Sequence, residues 1–245
     1  MDNAFITKYF DWPLRPLSKK ADLINGVLSQ LGVYARLGHP PDSATTGVMT
    51  NIEQRMNMYH LLSAALAYGV AGDVVELGCN TGQSSVLFQT IIEHMDPARK
   101  LHVYDSFEGL PGPVAADGDF LGKGGLKVSR EILAENFQRH GLRQPIVHEG
   151  WFEDTLPNGL PEAVCFAHLD GDFYESILVS LEHVYPRLSR GAVCLIDDYA
   201  DPSRLAGWNK LPGVKKACDE FLADKPEAVS VLWAGAMAHG FFRKT

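Results

Sequence analysis

Val74-Val75-Glu76-Leu77-Gly78-Cys79-Asn80-Thr81-Gly82-Gln83-Ser84 decides how this chain is read. An apolar run carrying one acid forms a short buried strand, and Gly78 and Gly82 bracket the turn that leaves it. Glycine permits the tight backbone, and the close approach of another group, that such a turn needs. From Gln83 to Met95 the apolar residues fall at helical spacing, and Asp96-Pro97 stops them. Leu101 to Tyr104 reads as a second strand, ending at Asp105. Strand, turn, helix and strand in this order make a βαβ unit with parallel strands.

The alternation continues downstream. Lys127 to His140 reads as a helix closed by Gly141, Pro145 to Val147 as a short strand, and Ala163 to Leu169 as a buried strand. Tyr174 to Leu188 is helical, Gly191 to Ile196 is a strand, and Pro212 to Leu222 is a helix with proline in its first turn. Ala228 to Trp233 and His239 to Phe242 are closing strands whose link, at Ala234-Gly235, is too short for a parallel crossover, so they are antiparallel. The expected fold is α/β and Rossmann-like: a mostly parallel, doubly wound sheet with an antiparallel C-terminal strand.

Upstream, Thr50-Asn51-Ile52-Glu53 has the form of a capping box, and Met56, Tyr59, Leu62 and Leu66 continue as a helical stripe to about Tyr68. Residues 1–50 are broken by Trp12-Pro13, Pro16 and Pro40-Pro41, with one amphipathic helix expected over Asp22 to Leu37. They read as an N-terminal cap, lid or dimer arm on a main domain of residues 51–245. Ser106 to Leu126 has no periodicity and is rich in proline and glycine, which predicts a mobile lid.

Bulk properties narrow the function. The net charge of −8 over 245 residues argues against nucleic acid as a partner, since phosphate binding needs a basic surface. No apolar run reaches the roughly 18 residues of a membrane helix, and the N-terminus has no signal-like apolar stretch, so a cytoplasmic location away from membranes is expected. Cys79, Cys165, Cys194 and Cys218 stand far apart, mostly in apolar runs, and read as buried free thiols.

The opening turn has Gly-x-x-x-Gly spacing. It lacks the Gly-x-Gly-x-x-Gly of dinucleotide sites and the lysine of a phosphate-binding loop. A strand-borne acid two residues before the first glycine is the form seen in S-adenosylmethionine methyltransferases, where the helix N-terminus faces the methionyl carboxylate. Asp105, at the next strand end, suits both ribose hydroxyls. An edge role for Glu76 and a loop-capping role for Asp105 are the plainer alternatives.

Cys165-Phe166-Ala167-His168-Leu169-Asp170-Gly171-Asp172-Phe173-Tyr174-Glu175 carries the second acidic feature. Asp170 ends one strand, while Asp197 and Asp198 end another. Three carboxylates at two parallel-strand ends repel one another unless a cation sits between them, and an all-oxygen set favours Mg²⁺ or a similar ion. Asp172, three residues before Glu175, reads as the cap of the next helix, and His168 as a hydrogen-bonded core histidine.

The chain resembles the macrocin O-methyltransferase family over about residues 48–222. The resemblance is carried by Val75-Glu76-Leu77-Gly78 with Gly82 and Ser84, Asp105-Ser106-Phe107-Glu108-Gly109-Leu110-Pro111, Gly150-Trp151-Phe152-Glu153-Asp154-Thr155-Leu156, Leu169-Asp170-Gly171-Asp172-Phe173-Tyr174-Glu175-Ser176 and Asp197-Asp198-Tyr199. It implies a class I methyltransferase fold, and an S-adenosylmethionine- and Mg²⁺-dependent enzyme acting on sugar hydroxyls of bacterial natural products. By the same resemblance, Asp170, Asp197 and Asp198 hold the metal and Asp170 is the general base. Glu76, Gly78, Asn80, Ser84, Asp105 and Ser106 contact the cofactor, Trp151 lies near its adenine, and residues around Thr50 touch its methionyl end. The expected partner is a glycosylated or polyhydroxylated small molecule, and the expected assembly a homodimer. A catechol-type acceptor, a non-catalytic cofactor-binding module and, last, an NAD-dependent oxidoreductase are the rival readings.

Overall fold

The structure is a computed structural model that describes residues 49–203, 209–234 and 237–245. The helix expected over Asp22 to Leu37, and all of the expected N-terminal cap before Met49, lie outside the described residues. Glu53–Thr245 forms one compact unit. The elements in chain order are α1 (Ile52–Ala67), β1 (Asp73–Leu77), α2 (Gln83–Met95), β2 (Leu101–Asp105), α3 (Arg130–His140), β3 (Ile146–Glu149), α4 (Phe152–Gly159), β4 (Val164–Leu169), α5 (Tyr174–Val184), β5 (Leu188–Asp197), α6 (Pro212–Leu222), β6 (Ser230–Ala234) and β7 (Met237–Arg243).

The strands form one seven-stranded sheet in the order β3-β2-β1-β4-β5-β7-β6. Every pairing from β3 across to β5 is parallel, and β7 runs antiparallel to both of its neighbours. The chain builds outward from β1 to β3, then returns to lay β4 on the other side of β1. The strand order therefore reverses between β1 and β4, and the connections leaving these two strands diverge. In open α/β sheets a ligand crevice opens at that point, beyond the carboxyl ends of the strands.

β1 and β4 read as apolar runs because both of their faces are covered. On one face Val75, Leu77, Ala167 and Leu169 join a core with Leu156 of α4, Ile177 and Leu181 of α5, and Val214 and Cys218 of α6. On the other, Phe88 of α2 sets its ring edge-on to Phe166 and His168, with centroids 5.3 and 5.4 Å away. All four cysteines are free and buried, and burial raises their thiol pKa values, Cys165 to about 11. Among the described residues no helix is long and apolar enough to cross a membrane.

Three helices depart from the sequence expectation, each for a local reason. α4 was not foreseen, because Pro157 and Gly159 fall inside it; Leu156, 1% exposed, ties this one short helix to the core. α5 ends at Val184 instead of Leu188, since Pro186 turns the chain into a 3₁₀ segment at Tyr185–Arg187. α3 starts at Arg130, three residues later than expected, with Ser129 in extended conformation before it.

No helix or strand forms between β2 and α3, as expected, yet this segment is pinned to the domain. Leu110 N–H donates to Gly125 O (2.8 Å) and Gly124 N–H to Leu110 O (2.8 Å). Asp117 is 2% exposed and accepts from two backbone amides, Val114 N (2.8 Å) and Tyr174 N (2.6 Å). Tyr174 opens α5, so a loop carboxylate caps that helix at its positive end. Gly213 in the first turn of α6 leaves the room: a Cβ there would stand 2.0 Å from Asp117 Oδ1. Asp117→Ala orphans two amide donors, a loss of about 2–4 kcal/mol, and should lower the melting temperature by roughly 5–15 °C. Asp117→Asn should recover part of that, since its amide oxygen still accepts. A melting temperature unchanged in Asp117→Ala would show that the cap contributes nothing.

Among the described residues, five non-glycine residues have positive φ: Asn80, Phe107, Leu126, Asp172 and Asp198. All lie in the connections that follow β1, β2, β4 and β5, on the crevice side of the sheet.

Candidate active site

The turn after β1 is built tightly against the end of β4. Gly78 has φ +89°, and a Cβ on it would lie 1.9 Å from the Asp170 carbonyl oxygen. The Asp170 N–H donates to Leu77 O at 2.8 Å, so the two strand ends are held together here. Gly82 (φ 84°) stands at the N-cap of α2 with no side-chain cap, and a helix N-terminus favours an anionic group. Asp105 organises this turn. Its Oδ2 accepts from Asn80 N and its Oδ1 from Phe107 N, both at 2.8 Å. Loss of solvent raises its pKa, and those two N–H groups oppose the rise. Each oxygen keeps a further acceptor site for a ligand hydroxyl.

Asn80 holds its own turn: Nδ2 donates to Leu126 O and Oδ1 accepts from Thr81 N, each at 2.8 Å. Ser106 does the same, its Oγ accepting from Glu108 N and donating to Gly109 O, both at 3.1 Å. Glu76 lies beneath the turn and does not line it. It is 0% exposed, and its two oxygens accept from the hydroxyls of Ser84 and Ser85. Glu76 and Ser84 thus face each other inside the fold, because both sit on surfaces packed between β1 and α2. Trp151 takes the N-cap position of α4, just after β3, and Gly150 N–H bonds Asp105 O at 2.9 Å. Thr50 stands two residues ahead of α1, so the helix begins after Asn51, one residue later than the capping box proposed.

The carboxylates gather at the ends of β4 and β5. Donor atoms of His168, Asp170 and Asp197 lie within 4.8 Å of one another, and so do those of Asp170, Asp172 and Asp198. Parallel register explains the first set: His168 pairs with Leu195 and Leu169 with Ile196, so Asp170 and Asp197 follow on the same level. Asp172 joins the second set through its left-handed backbone (φ 59°), which folds the chain back toward Asp170. The helix-capping role expected for Asp172 is therefore wrong. Phe173 holds the N-cap position, and Asp117 takes the first amide.

Electrostatics follow from this crowding. Asp170 is raised well above the carboxylate range by loss of solvent, then by Asp197, Asp172, Asp198 and Glu76. Asp172 is pushed up to about 7 by loss of solvent and by the charges of Asp197 and Asp105. Asp197 moves the other way. Burial, the largest single influence, would raise it, but the charge and hydrogen bond of His239, with His168 and the Asp198 amide, together hold it below the usual value. His239 Nε2 lies 2.8 Å from Asp197 Oδ1, which also accepts from Gln54 Nε2 and Asp198 N at 3.1 Å.

A model of the macrocin-O-methyltransferase (TylF) family matches residues 38–224. The chain belongs to the macrocin-O-methyltransferase family. Among named relatives it is 39% identical over 163 residues to the 8-demethyl-8-(2,3-dimethoxy-alpha-L-rhamnosyl)-tetracenomycin-C 4'-O-methyltransferase of Streptomyces olivaceus, with 62% of each chain covered. It is 34% identical over 167 residues to the mycinamicin III 3''-O-methyltransferase of Micromonospora griseorubida, covering 63% of this chain and 66% of the relative. The matched part is thus under two thirds of these relatives' length. Among solved structures, the O-methyltransferase NovP superposes with a TM-score of 0.68 at 28% identity, over 84% of each chain.

Sequence reading does not find Gln54, His239 or Asp117. Gln54 and His239 reach Asp197 from elements distant in sequence. The one hint was polar residues placed inside otherwise apolar elements: His239 is 0% exposed in the middle of β7, paired in register with Asp197.

Proposed function

We propose that this chain transfers the methyl group of S-adenosylmethionine to a hydroxyl of a small molecule, a sugar hydroxyl on a bacterial secondary metabolite, beside a bound divalent cation. The observation that carries the reading is Asp170, which is shared by a group with His168 and Asp197 and a group with Asp172 and Asp198, the donor atoms of each group within 4.8 Å of one another. Carboxylates this crowded favour a cation among them, and the raised Asp170 pKa is the physical sign of that demand. We assign the ion to Asp170, Asp197 and Asp198, of which Asp170 is common to both groups while Asp197 and Asp198 belong to one each. Such an ion, when bound, lowers the cost of forming an alkoxide from the acceptor. The sugar part of the reading is supported by the relative whose name specifies a rhamnosyl tetracenomycin.

The chain's own groups divide the work. Asp105 orients the ribose through the acceptor sites its two backbone amides leave open. Gly78 brings that cofactor turn against the backbone of Asp170, so donor and acceptor sites share one wall. The uncapped start of α2 receives the methionyl carboxylate. Asp170 takes the hydroxyl proton at a carboxylate oxygen, as a general base. Fixed geometry supplies much of the remaining rate.

The test is transfer of labelled methyl from S-adenosylmethionine to a panel of rhamnosylated aglycones and catechols. We expect label on the glycosides, loss of transfer in EDTA, and recovery with added divalent cation. Label on catechols alone would move the acceptor class to phenols. Cofactor binding without transfer would support the non-catalytic module. Undiminished transfer in EDTA would falsify the metal role.

A further inference from the structure

We propose that His239 and Gln54 are positioning residues of the cation site: together they hold one oxygen of Asp197, so that its other oxygen serves the ion. The proposal rests on the reading of Asp170, Asp197 and Asp198 as the residues that hold that ion. Three donors converge on Asp197 Oδ1. His239 Nε2 lies 2.8 Å away, and Gln54 Nε2 and the Asp198 N–H each lie 3.1 Å away. A carboxylate oxygen offers about two lone-pair sites, so Oδ1 is filled and Oδ2 is the oxygen turned to a ligand. An ionised carboxylate only accepts, so His239 donates here whether its ring is neutral or charged.

The holder is assembled from elements that meet only in the fold. His239 on β7 is paired in register with Asp197 across the antiparallel β5–β7 ladder, which sets both side chains on one face of the sheet. Gln54 comes from α1, 143 positions away in sequence. One turn further along α1, Asn57 reaches the same histidine. Its Nδ2 donates to Trp233 O on β6 at 2.9 Å and lies 3.4 Å from His239 Nδ1. The imidazole is thus held at both nitrogens, between Asn57 and Asp197. Gln54 and His239 are each 0% exposed. Burying two polar side chains is costly unless each finds a partner, and here both are spent on a single carboxylate oxygen. Groups placed behind a ligating side chain fix its orientation, and their loss typically costs 10–100-fold in metal affinity.

The experiment titrates the full chain, stripped of metal, with MnCl₂ by calorimetry, and measures S-adenosylhomocysteine affinity and melting temperature beside it. We expect His239→Leu to weaken Mn²⁺ by about 10–100-fold, with S-adenosylhomocysteine affinity held within about threefold of the parent. In His239→Gln an amide N–H takes the place of Nε2, and Mn²⁺ affinity should return to within about threefold of the parent. If His239→Leu does not fold, Gln54→Met is the second probe: it removes a donor from the same oxygen and should weaken Mn²⁺ by about tenfold. A loss in His239→Leu that His239→Gln does not restore makes His239 a packing residue and overturns the proposal. Parent-like Mn²⁺ affinity in every folded variant that lacks a donor also overturns it, and leaves the cation site standing. No Mn²⁺ binding by the parent overturns the cation reading, and this proposal with it.

Discussion

Asp170→Asn should lower turnover by at least about 10³-fold while leaving S-adenosylmethionine affinity within about threefold of the parent. Two losses combine. General-base assistance is worth on the order of 10²–10⁴-fold, and an amide surrenders the charge that draws a cation. The fold should survive, because Asp170 is tied to β1 through its own backbone N–H and not through its carboxylate. Stability gives an independent readout. The folded-state pKa of Asp170 is raised above its unfolded value. Its contribution to stability is therefore complete only below the unfolded value of about 4 and is lost as pH rises through the folded value. In metal-free protein the asparagine variant should thus melt higher than the parent at neutral pH, with the gap closing near pH 4. A variant that loses activity and gains metal-free stability is what a crowded anionic site requires. Parent-like turnover would remove Asp170 from the chemistry.

Gly78→Ala should be the most damaging single methyl in the described chain's cofactor turn. Its Cβ would stand 1.9 Å from the Asp170 carbonyl, which is backbone and has no rotamer by which to retreat. The positive φ adds a penalty of its own, about 1–2 kcal/mol. Gly141→Ala separates the two effects: Gly141 also has positive φ (+66°), but nothing lies within 4 Å of its Cβ position. We expect Gly141→Ala to lose little beyond the backbone penalty and to keep full activity. Gly78→Ala should lower the melting temperature further and reduce kcat/KM by about 10²-fold, the scale of an ångström's misplacement of reacting groups. Equal melting temperatures for the two variants would mean that β1 and β4 are not clamped at this point.

The fold was legible because its signals are local. α2 and α6 were placed to the residue, since Gly82 and Asp96-Pro97 bound one and Pro212 opens the other. α4 was missed because proline and glycine mark breaks in isolated sequence, whereas a helix of a few turns tied down by Leu156 tolerates them. The site was half legible. Asp105, Asp170, Asp197 and Asp198 were visible as acids at strand ends. Asp172 misled because its spacing to Glu175 fits a cap, and only a left-handed φ, invisible in sequence, sends it to the carboxylates instead. Asp117, Gln54 and His239 needed contacts across 57, 143 and 42 positions of chain, which no local pattern encodes (the last from 239 − 197).

The left-handed residues carry one more consequence. Asn80, Phe107, Leu126, Asp172 and Asp198 hold backbone conformations that their side chains disfavour, and all of them edge the crevice. Such conformations persist only while the surrounding packing enforces them. Local opening takes the least stable regions first, well below the temperature at which the sheet itself melts. On gentle heating, catalytic competence should therefore fade while circular dichroism still reports an intact fold, and cooling should restore it. Heat would then remove the proposed activity before it unfolds the chain.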